Sequence, residues 1–107
     1  MKDPGRHLLL LSLSLGDWLS KLAKAKGIKW RYEPPGCMDA KGEKTLGMIV
    51  IVKAEAALIF HCVGDFIQVE AHGIPSAKGA KLYPAKDVTG EFAMRAVNRF
   101  LEKCGQP

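Results

Sequence analysis

Residues 46–73 have the sequence LGMIVIVKAEAALIFHCVGDFIQVEAHG, and the fold class depends on this stretch more than on any other. It is rich in Val, Ile and Phe, which suit the pleated, half-buried surface of a sheet. Gly64-Asp65 separates two apolar runs and is a typical two-residue hairpin turn, and Ala54-Glu55 indicates a second tight turn. The stretch therefore predicts three consecutive antiparallel strands.

Strand alternation divides these residues between two faces of the predicted sheet. The cross-strand partners expected around the Gly64-Asp65 turn are Val63 and Phe66, Cys62 and Ile67, His61 and Gln68, and Ile59 and Glu70. One face is entirely uncharged and holds Ile49, Ile51, Leu58, Phe60, Cys62, Ile67, Val69 and Ala71. The other mixes apolar and polar side chains and holds Met48, Val50, Val52, Ile59, His61, Val63, Phe66, Gln68, Glu70 and His72. One buried and one open face is the usual result in an antiparallel sheet.

The N-terminal segment predicts a helix that covers the apolar face. Asp3-Pro4 is a good start signal, and an apolar stripe then recurs at steps of three and four until Gly27. The stripe consists of Leu8, Leu11, Leu15, Trp18, Leu22 and Ala25. One helix over residues 4–26 is favoured, and two shorter helices divided at Gly16-Asp17 are the alternative. Three leucines lie off the stripe, namely Leu9, Leu10 and Leu13. The first half of the helix is therefore expected either inside the fold or against another subunit.

The remaining segments complete the layout. Residues 28–33 (IKWRYE) alternate and predict a first strand, which Pro34-Pro35-Gly36 ends. Residues 74–86 contain two prolines and three lysines and read as a long loop, a kind that is often functional. Asp87 or Thr89 is expected to cap a helix over residues 90–103. Its apolar arc consists of Phe92, Ala93, Ala96, Val97, Phe100 and Cys104.

The predicted fold is thus a single α+β domain over residues 1–107. It is a four-stranded antiparallel β-meander between an N-terminal and a C-terminal α-helix, in the order α-β-β-β-β-α, with both helices packed on one sheet face.

Composition narrows the class of protein. The chain has 107 residues, enough for one domain, and its three cysteines form no C-x-x-C pair, so neither a disulfide framework nor a zinc site is indicated. The apolar run near the N-terminus is short and broken by serines, which does not match a signal peptide, and no stretch approaches the ~20 apolar residues of a membrane span. We expect a soluble cytoplasmic protein that does not bind membranes.

The net charge of +5 is unevenly distributed, which favours an anionic partner. Residues 18–32 hold five cations and no acid. The candidate polyanion-binding residues are Lys21, Lys24, Lys29, Arg31, Lys78, Lys81, Tyr83 and Lys86. Binding to nucleic acid is accordingly the second hypothesis for function.

The mixed face carries His61, Glu70 and His72, which invites a metal or acid–base site. His72 lies four residues beyond Gln68, the expected partner of His61, and this is about 13 Å at the rise of a strand. One metal cannot bind both histidines at that separation, whereas His61 and Glu70 are diagonal neighbours that could share a hydrogen bond. His61 and Cys62 point to opposite faces. We expect no catalytic residue, no metal and no small-molecule cofactor, and an enzyme centred on His61 is the least favoured hypothesis.

The mixed face is too apolar for a fully solvated surface, so something is expected to cover it. The candidate partner-binding residues are Met48, Val50, Val52, Ile59, His61, Phe66, Gln68 and Glu70. The cover could be a protein partner, a second copy of the chain as in a homodimer, or the apolar half of the N-terminal helix. The leading hypothesis is a small non-enzymatic binding or regulatory protein, such as an inhibitor or an assembly factor, that occupies a surface of a protein partner.

Overall fold

The structure is a computed structural model that describes residues 4–34, 36, 42, 47–74 and 79–104. One helix precedes and one follows an antiparallel sheet in the chain, which confirms the α+β class. The helices are α1 (Pro4–Lys26) and α2 (Gly90–Cys104). The strands are β1 (Lys29–Glu33), β2 (Met48–Lys53), β3 (Ala56–Val63), β4 (Phe66–His72) and β5 (Gly79–Pro84). Their spatial order is β1-β2-β3-β4-β5, with every neighbouring pair antiparallel, and a short 3-10 helix over Ala85–Asp87 leads towards α2.

The fifth strand corrects the prediction of four strands and of a long loop over residues 74–86. β5 pairs with β4 from Gly79 opposite Ala71 to Pro84 opposite Phe66. Its glycine, lysine and proline give it a weak intrinsic preference for strand, and the pairing with β4 overrides that preference. Pro84 is tolerated because it lies at the end of an edge strand, where the missing N–H group removes no hydrogen bond to a further strand.

The two turns inside residues 46–73 have the predicted length. Lys53 pairs with Ala56, and Val63 pairs with Phe66, so each turn contains two residues. Ala54 and Gly64 both have positive φ, at 54° and 59°. The predicted register and the division of β2, β3 and β4 into two faces are therefore confirmed.

The core lies between the predicted apolar face and the two helices. Its sheet layer consists of Ile49, Ile51, Leu58, Phe60, Cys62 and Ile67. α1 contributes Leu8, Leu11, Leu15 and Leu19, and α2 contributes Ala93, Val97 and Phe100. The predicted stripe of α1 holds through Leu22, since Trp18 and Leu22 are half-buried and pack against the core, but Ala25 is exposed and Leu19, outside the predicted stripe, is fully buried. The buried leucines of α1 are separated by three, four and four residues. This spacing follows the 3.6 residues per turn of a straight helix more closely than the strict alternation of steps of three and four in the predicted stripe.

α1 is continuous, so the alternative of two shorter helices is wrong. It ends where predicted, at a glycine with φ of 71°, and the Gly27 N–H donates to the Ala23 carbonyl over 3.2 Å. The Lys53 Nζ donates to the Lys26 carbonyl at 2.7 Å and so satisfies one of the last carbonyl groups of the helix. The predicted cap at Asp3 lies outside the described residues.

α2 begins with a side-chain cap. The Phe92 N–H donates to Thr89 Oγ1 at 3.1 Å, so Thr89 and not Asp87 is the cap. One residue earlier, the Val88 carbonyl accepts a hydrogen bond from His7 Nε2 at 2.7 Å, which joins the first turns of α1 to the start of α2.

Replacing Gly16 by alanine should raise the free energy of unfolding by about 0.5–1 kcal/mol, because alanine costs less than glycine inside a helix. An added Cβ would meet two ring carbons of Trp30 at 3.8 and 3.9 Å, which is ordinary van der Waals contact. Urea denaturation followed by circular dichroism measures the change. The control is Gly27→Ala, where φ is 71° and alanine should destabilise. A loss of stability in Gly16→Ala would mean that α1 is not regular at this point.

Candidate functional site

The face of the sheet opposite α1 and α2, here called the outer face, carries every predicted partner-binding residue. No helix or strand of the described ranges packs on it. The cross-strand pairs that place these residues together are Met48 with His61, Val50 with Ile59, Val52 with Ala57, His61 with Gln68, Ile59 with Glu70, and Val63 with Phe66. The alternative that the apolar half of α1 covers this face is therefore wrong for the described residues.

β1 and β5 widen the outer face beyond the prediction. One row across the sheet runs Glu33, Met48, His61, Gln68 and Leu82. The next runs Arg31, Val50, Ile59, Glu70 and Ala80. Leu82 is not among the predicted residues because the prolines and lysines of residues 74–86 predict a loop, although the alternation of Ala80, Leu82 and Pro84 is a signal that could have identified it.

The most exposed apolar side chains of the outer face gather at one end. Phe66 is 44% exposed, Leu82 is 54% exposed and Val63 is 36% exposed. They lie beside the Gly64-Asp65 turn, since Phe66 pairs with Val63 and is the diagonal neighbour of Leu82. We call these three residues the apolar patch. Val50, by contrast, lies away from this end, in the middle of β2, and is only 5% exposed.

The polar groups of the outer face pair along one strand. Glu70 Oε2 accepts a hydrogen bond from Gln68 Nε2 at 3.4 Å and lies 3.3 Å from His72 Nε2. The predicted bond between His61 and Glu70 is not formed, because the carboxylate turns towards its neighbours two residues away on β4. No three His, Cys, Asp or Glu side chains come together as a metal site among the described residues.

The predicted polyanion-binding residues lie on separate surfaces. Lys21 and Lys24 are exposed on α1, whereas Lys29 and Arg31 lie on β1, where Arg31 Nε contacts Glu33 Oε1 at 3.2 Å. Lys81 and Tyr83 belong to β5, at the opposite edge of the sheet and about 19 Å from β1 at the usual strand spacing. Lys86 lies in the 3-10 helix and is exposed, and Lys78 lies outside the described residues. Binding of a polyanion by these residues stays a prediction.

Tyr83 is not the freely exposed aromatic residue that the sequence suggested. Its ring meets that of Phe92 edge to face, with the centroids 4.8 Å apart and the planes at 69°. This contact joins β5 to α2 and forms one end of a cleft.

A cleft that the sequence did not predict lies between α2 and the inner side of β4 and β5, which is the side of the sheet that faces the helices. Its volume is about 630 Å³. It is lined by Leu58, Val69, Ala71, Ile74, Gly79, Ala80, Lys81, Tyr83, Phe92, Arg95, Ala96, Arg99, Phe100 and Lys103. The signal that could have indicated it is the spacing of Arg95, Arg99 and Lys103, which places three cations on successive turns of one side of α2.

The described cysteines are poorly suited to nucleophilic chemistry. Cys62 is buried in the core. Burial raises the pKa of the Cys104 thiol, and nearby Lys53 acts in the opposite direction without cancelling it. A raised pKa leaves less of the reactive thiolate at neutral pH. Cys37 lies outside the described residues.

Three leucines on the solvent side of α1 form a second exposed apolar surface. Leu9, Leu10 and Leu13 are all exposed, so the alternative of burial inside the fold is wrong, and the alternative of contact with another subunit stays a prediction. Neither helix in the described part of the chain combines the length and the apolar character that crossing a bilayer requires.

Comparison with protein-family models, with curated proteins and with solved structures finds no match to this chain. Function therefore has to be inferred from the surfaces described above.

Proposed function

We propose that this protein is a small non-enzymatic binding protein that docks on a protein partner through the outer face of its sheet. The observation that carries the proposal is the apolar patch, in which Phe66 and Leu82 are 44% and 54% exposed on a face that no described helix or strand covers. Transfer of an exposed phenylalanine side chain into a partner's pocket contributes up to roughly 1.5–3 kcal/mol, so such a residue can anchor an interface.

The surroundings of the apolar patch resemble the rim of a protein–protein interface. His61 and Gln68 adjoin it, and both are half-buried side chains that can donate or accept hydrogen bonds. Further along the sheet, Glu70 and His72 already pair with each other. These polar groups fit a role in orienting a partner better than a role in chemistry, because they line the open surface of the sheet and none of them lines the cleft between α2 and the sheet.

The partner that fits is a protein with an apolar pocket for Phe66 and Leu82 and an uncharged or mixed rim. A nucleic acid fits this face less well, since the lysines and arginines that the described strands place on it lie at the β1 edge, where Arg31 already pairs with Glu33. The half-buried carboxylate of Glu70 near the centre of the face would also repel phosphates.

Phe66→Asp combined with Leu82→Asp should weaken partner binding at least about tenfold, because the two carboxylates would have to be desolvated in the interface. The partner is first recovered by affinity purification from the native host with nuclease present. It is then purified separately, and its dissociation constant is measured by calorimetry with the wild type and with the variant.

The matched control is Leu10→Asp combined with Leu13→Asp, which puts the same side chains on an apolar surface of α1 where the leucines are 55% and 69% exposed. This control should bind the partner as the wild type does, with circular dichroism confirming that both variants are folded. The proposal fails if both double variants bind normally or if only the α1 variant loses the partner. It also fails if nuclease releases the bound material, or if the purified chain buries the apolar patch in its own dimer at equilibrium.

A further inference from the structure

The cleft between α2 and the inner side of β4 and β5 has the size of a small-molecule site and lies on a different surface from the outer face. Ligand pockets typically enclose about 300–1,000 Å³, and this cleft encloses about 630 Å³. Its inner wall is the edge of the hydrophobic core, whereas its mouth is formed by exposed residues of β5 and α2.

The floor of the cleft is apolar. Leu58, Ile74 and Phe100 are buried at its base. Val69, Ala71, Phe92, Ala96 and Tyr83 are half-buried along its walls. The edge-to-face contact between Tyr83 and Phe92 closes one end with aromatic carbon. An aliphatic or aromatic body would gain by leaving water for this floor.

The rim of the cleft is cationic. Lys81 lies on the β5 side, and Arg95, Arg99 and Lys103 follow one another at intervals of four residues on the α2 side. Among the described residues that line the cleft, none is Asp or Glu. Among the residues that the structure describes, Glu91 pairs with Arg95, but no carboxylate forms an ion pair with Lys81, Arg99 or Lys103. Like charges four residues apart on one helix repel one another, so an anion placed beside the α2 cations would relieve that repulsion.

We propose that this cleft binds an amphipathic organic anion, with an apolar chain or ring on the floor and a carboxylate at the rim. Arginine fits the carboxylate because its guanidinium offers parallel N–H donors to both oxygens. A neutral ligand would leave the rim cations uncompensated, and a highly charged polymer would find too little polar surface on the floor. The combination of floor and rim thus selects a ligand with one apolar and one anionic end.

Decanoate is a suitable probe, with decanol and decyltrimethylammonium as neutral and cationic counterparts of equal chain length. We expect saturable binding of one decanoate by calorimetry at low salt, weaker binding of decanol and no binding of decyltrimethylammonium. In nuclear magnetic resonance spectra the largest amide shifts should fall on Ala71, Ile74 and Ala96, which line the cleft. Equal binding of the three probes, no binding of decanoate, or shifts confined to the outer face would overturn the proposal.

Lys81→Glu combined with Arg99→Glu should weaken decanoate binding at least about tenfold, because charge-assisted hydrogen bonds are replaced by repulsion. Both side chains are exposed, so the variant should remain folded. The matched control is Lys21→Glu combined with Lys24→Glu, which changes the net charge equally on the solvent side of α1 and should leave the dissociation constant within about twofold. Equal losses in the two variants would attribute binding to net charge and contradict a specific site.

Ala96→Phe provides a second variant that keeps every cation and fills the cleft, and it should abolish decanoate binding. Retained binding in this variant would exclude the cleft as the site. A short oligoglutamate tests whether the rim cations instead bind an acidic peptide. Binding of oligoglutamate without binding of decanoate would also overturn the proposal. Because Phe66→Asp with Leu82→Asp should leave decanoate binding intact, failure of this site and failure of the proposed partner-binding face are separately visible.

Discussion

Replacing Phe60 by alanine is expected to lower the free energy of unfolding by about 3–5 kcal/mol. Phe60 is 1% exposed, lies on the central strand β3 and belongs to the core between the sheet and the helices. The substitution removes the apolar contacts of a whole ring and leaves a cavity that the surrounding layers can only partly fill. Urea denaturation followed by tryptophan fluorescence and circular dichroism measures the loss.

The matched control for this substitution is Phe66→Ala, which removes the same ring from the outer face of the same sheet. Phe66 is 44% exposed, so the expected loss is under about 1 kcal/mol. A small domain has roughly 5–15 kcal/mol of total stability, so a loss of this size could unfold the protein. Phe60→Leu has an expected loss of about 1–2 kcal/mol and replaces Phe60→Ala if that variant does not fold. Similar losses at Phe60 and Phe66 would contradict the division of the sheet into one buried and one open face.

Replacing Gly73 by alanine should cost about 2–5 kcal/mol, which is unusual for the addition of one methyl group. The residue has φ of 78°, where an alanine side chain costs about 1–2 kcal/mol. An added Cβ would also lie 2.6 Å from the Glu55 carbonyl oxygen and 3.0 Å from the Ala56 Cα, so the backbone of the β2–β3 turn would have to move. Such overpacking typically costs a further ~1–3 kcal/mol.

Gly64→Ala separates these two contributions. Gly64 also has positive φ, at 59°, but an added Cβ there would meet nothing within 4 Å. This variant should therefore lose only the conformational cost of about 1–2 kcal/mol, and the difference between the two variants measures the clash at Gly73. If Gly73→Ala loses no more stability than Gly64→Ala, the close approach of Gly73 to Glu55 is not present in solution.

The close approach at Gly73 also bears on the cleft. Ile74 follows Gly73 directly, and its buried side chain forms part of the cleft floor. A backbone shift at Gly73 should therefore weaken decanoate binding, whereas the same substitution at Gly64, beside the apolar patch, should not.

Local features of the chain were predictable because their determinants lie close together in sequence. The Gly64-Asp65 turn sets the pairing of β3 with β4, and the Ala54-Glu55 turn sets the pairing of β2 with β3. Periodicity predicted α1 and α2 and their ends, since capping and amphipathic packing depend on residues within one or two turns. For β2, β3 and β4, the division of residues between the two faces followed from strand alternation alone.

Features that depend on distant partners were not predictable in the same way. Residues 79–84 carry a weak strand signal, and they form β5 because β4 offers an unpaired edge. The exposure of Leu82 and the enclosure of Tyr83 against Phe92 both follow from that one strand. The sequence by itself thus determined the α+β class, the register of the three central strands and the two faces, because these depend on local turns and side-chain alternation. Only the tertiary structure decided the fifth strand, the open outer face and the cationic cleft, because each depends on how elements distant in sequence meet in space.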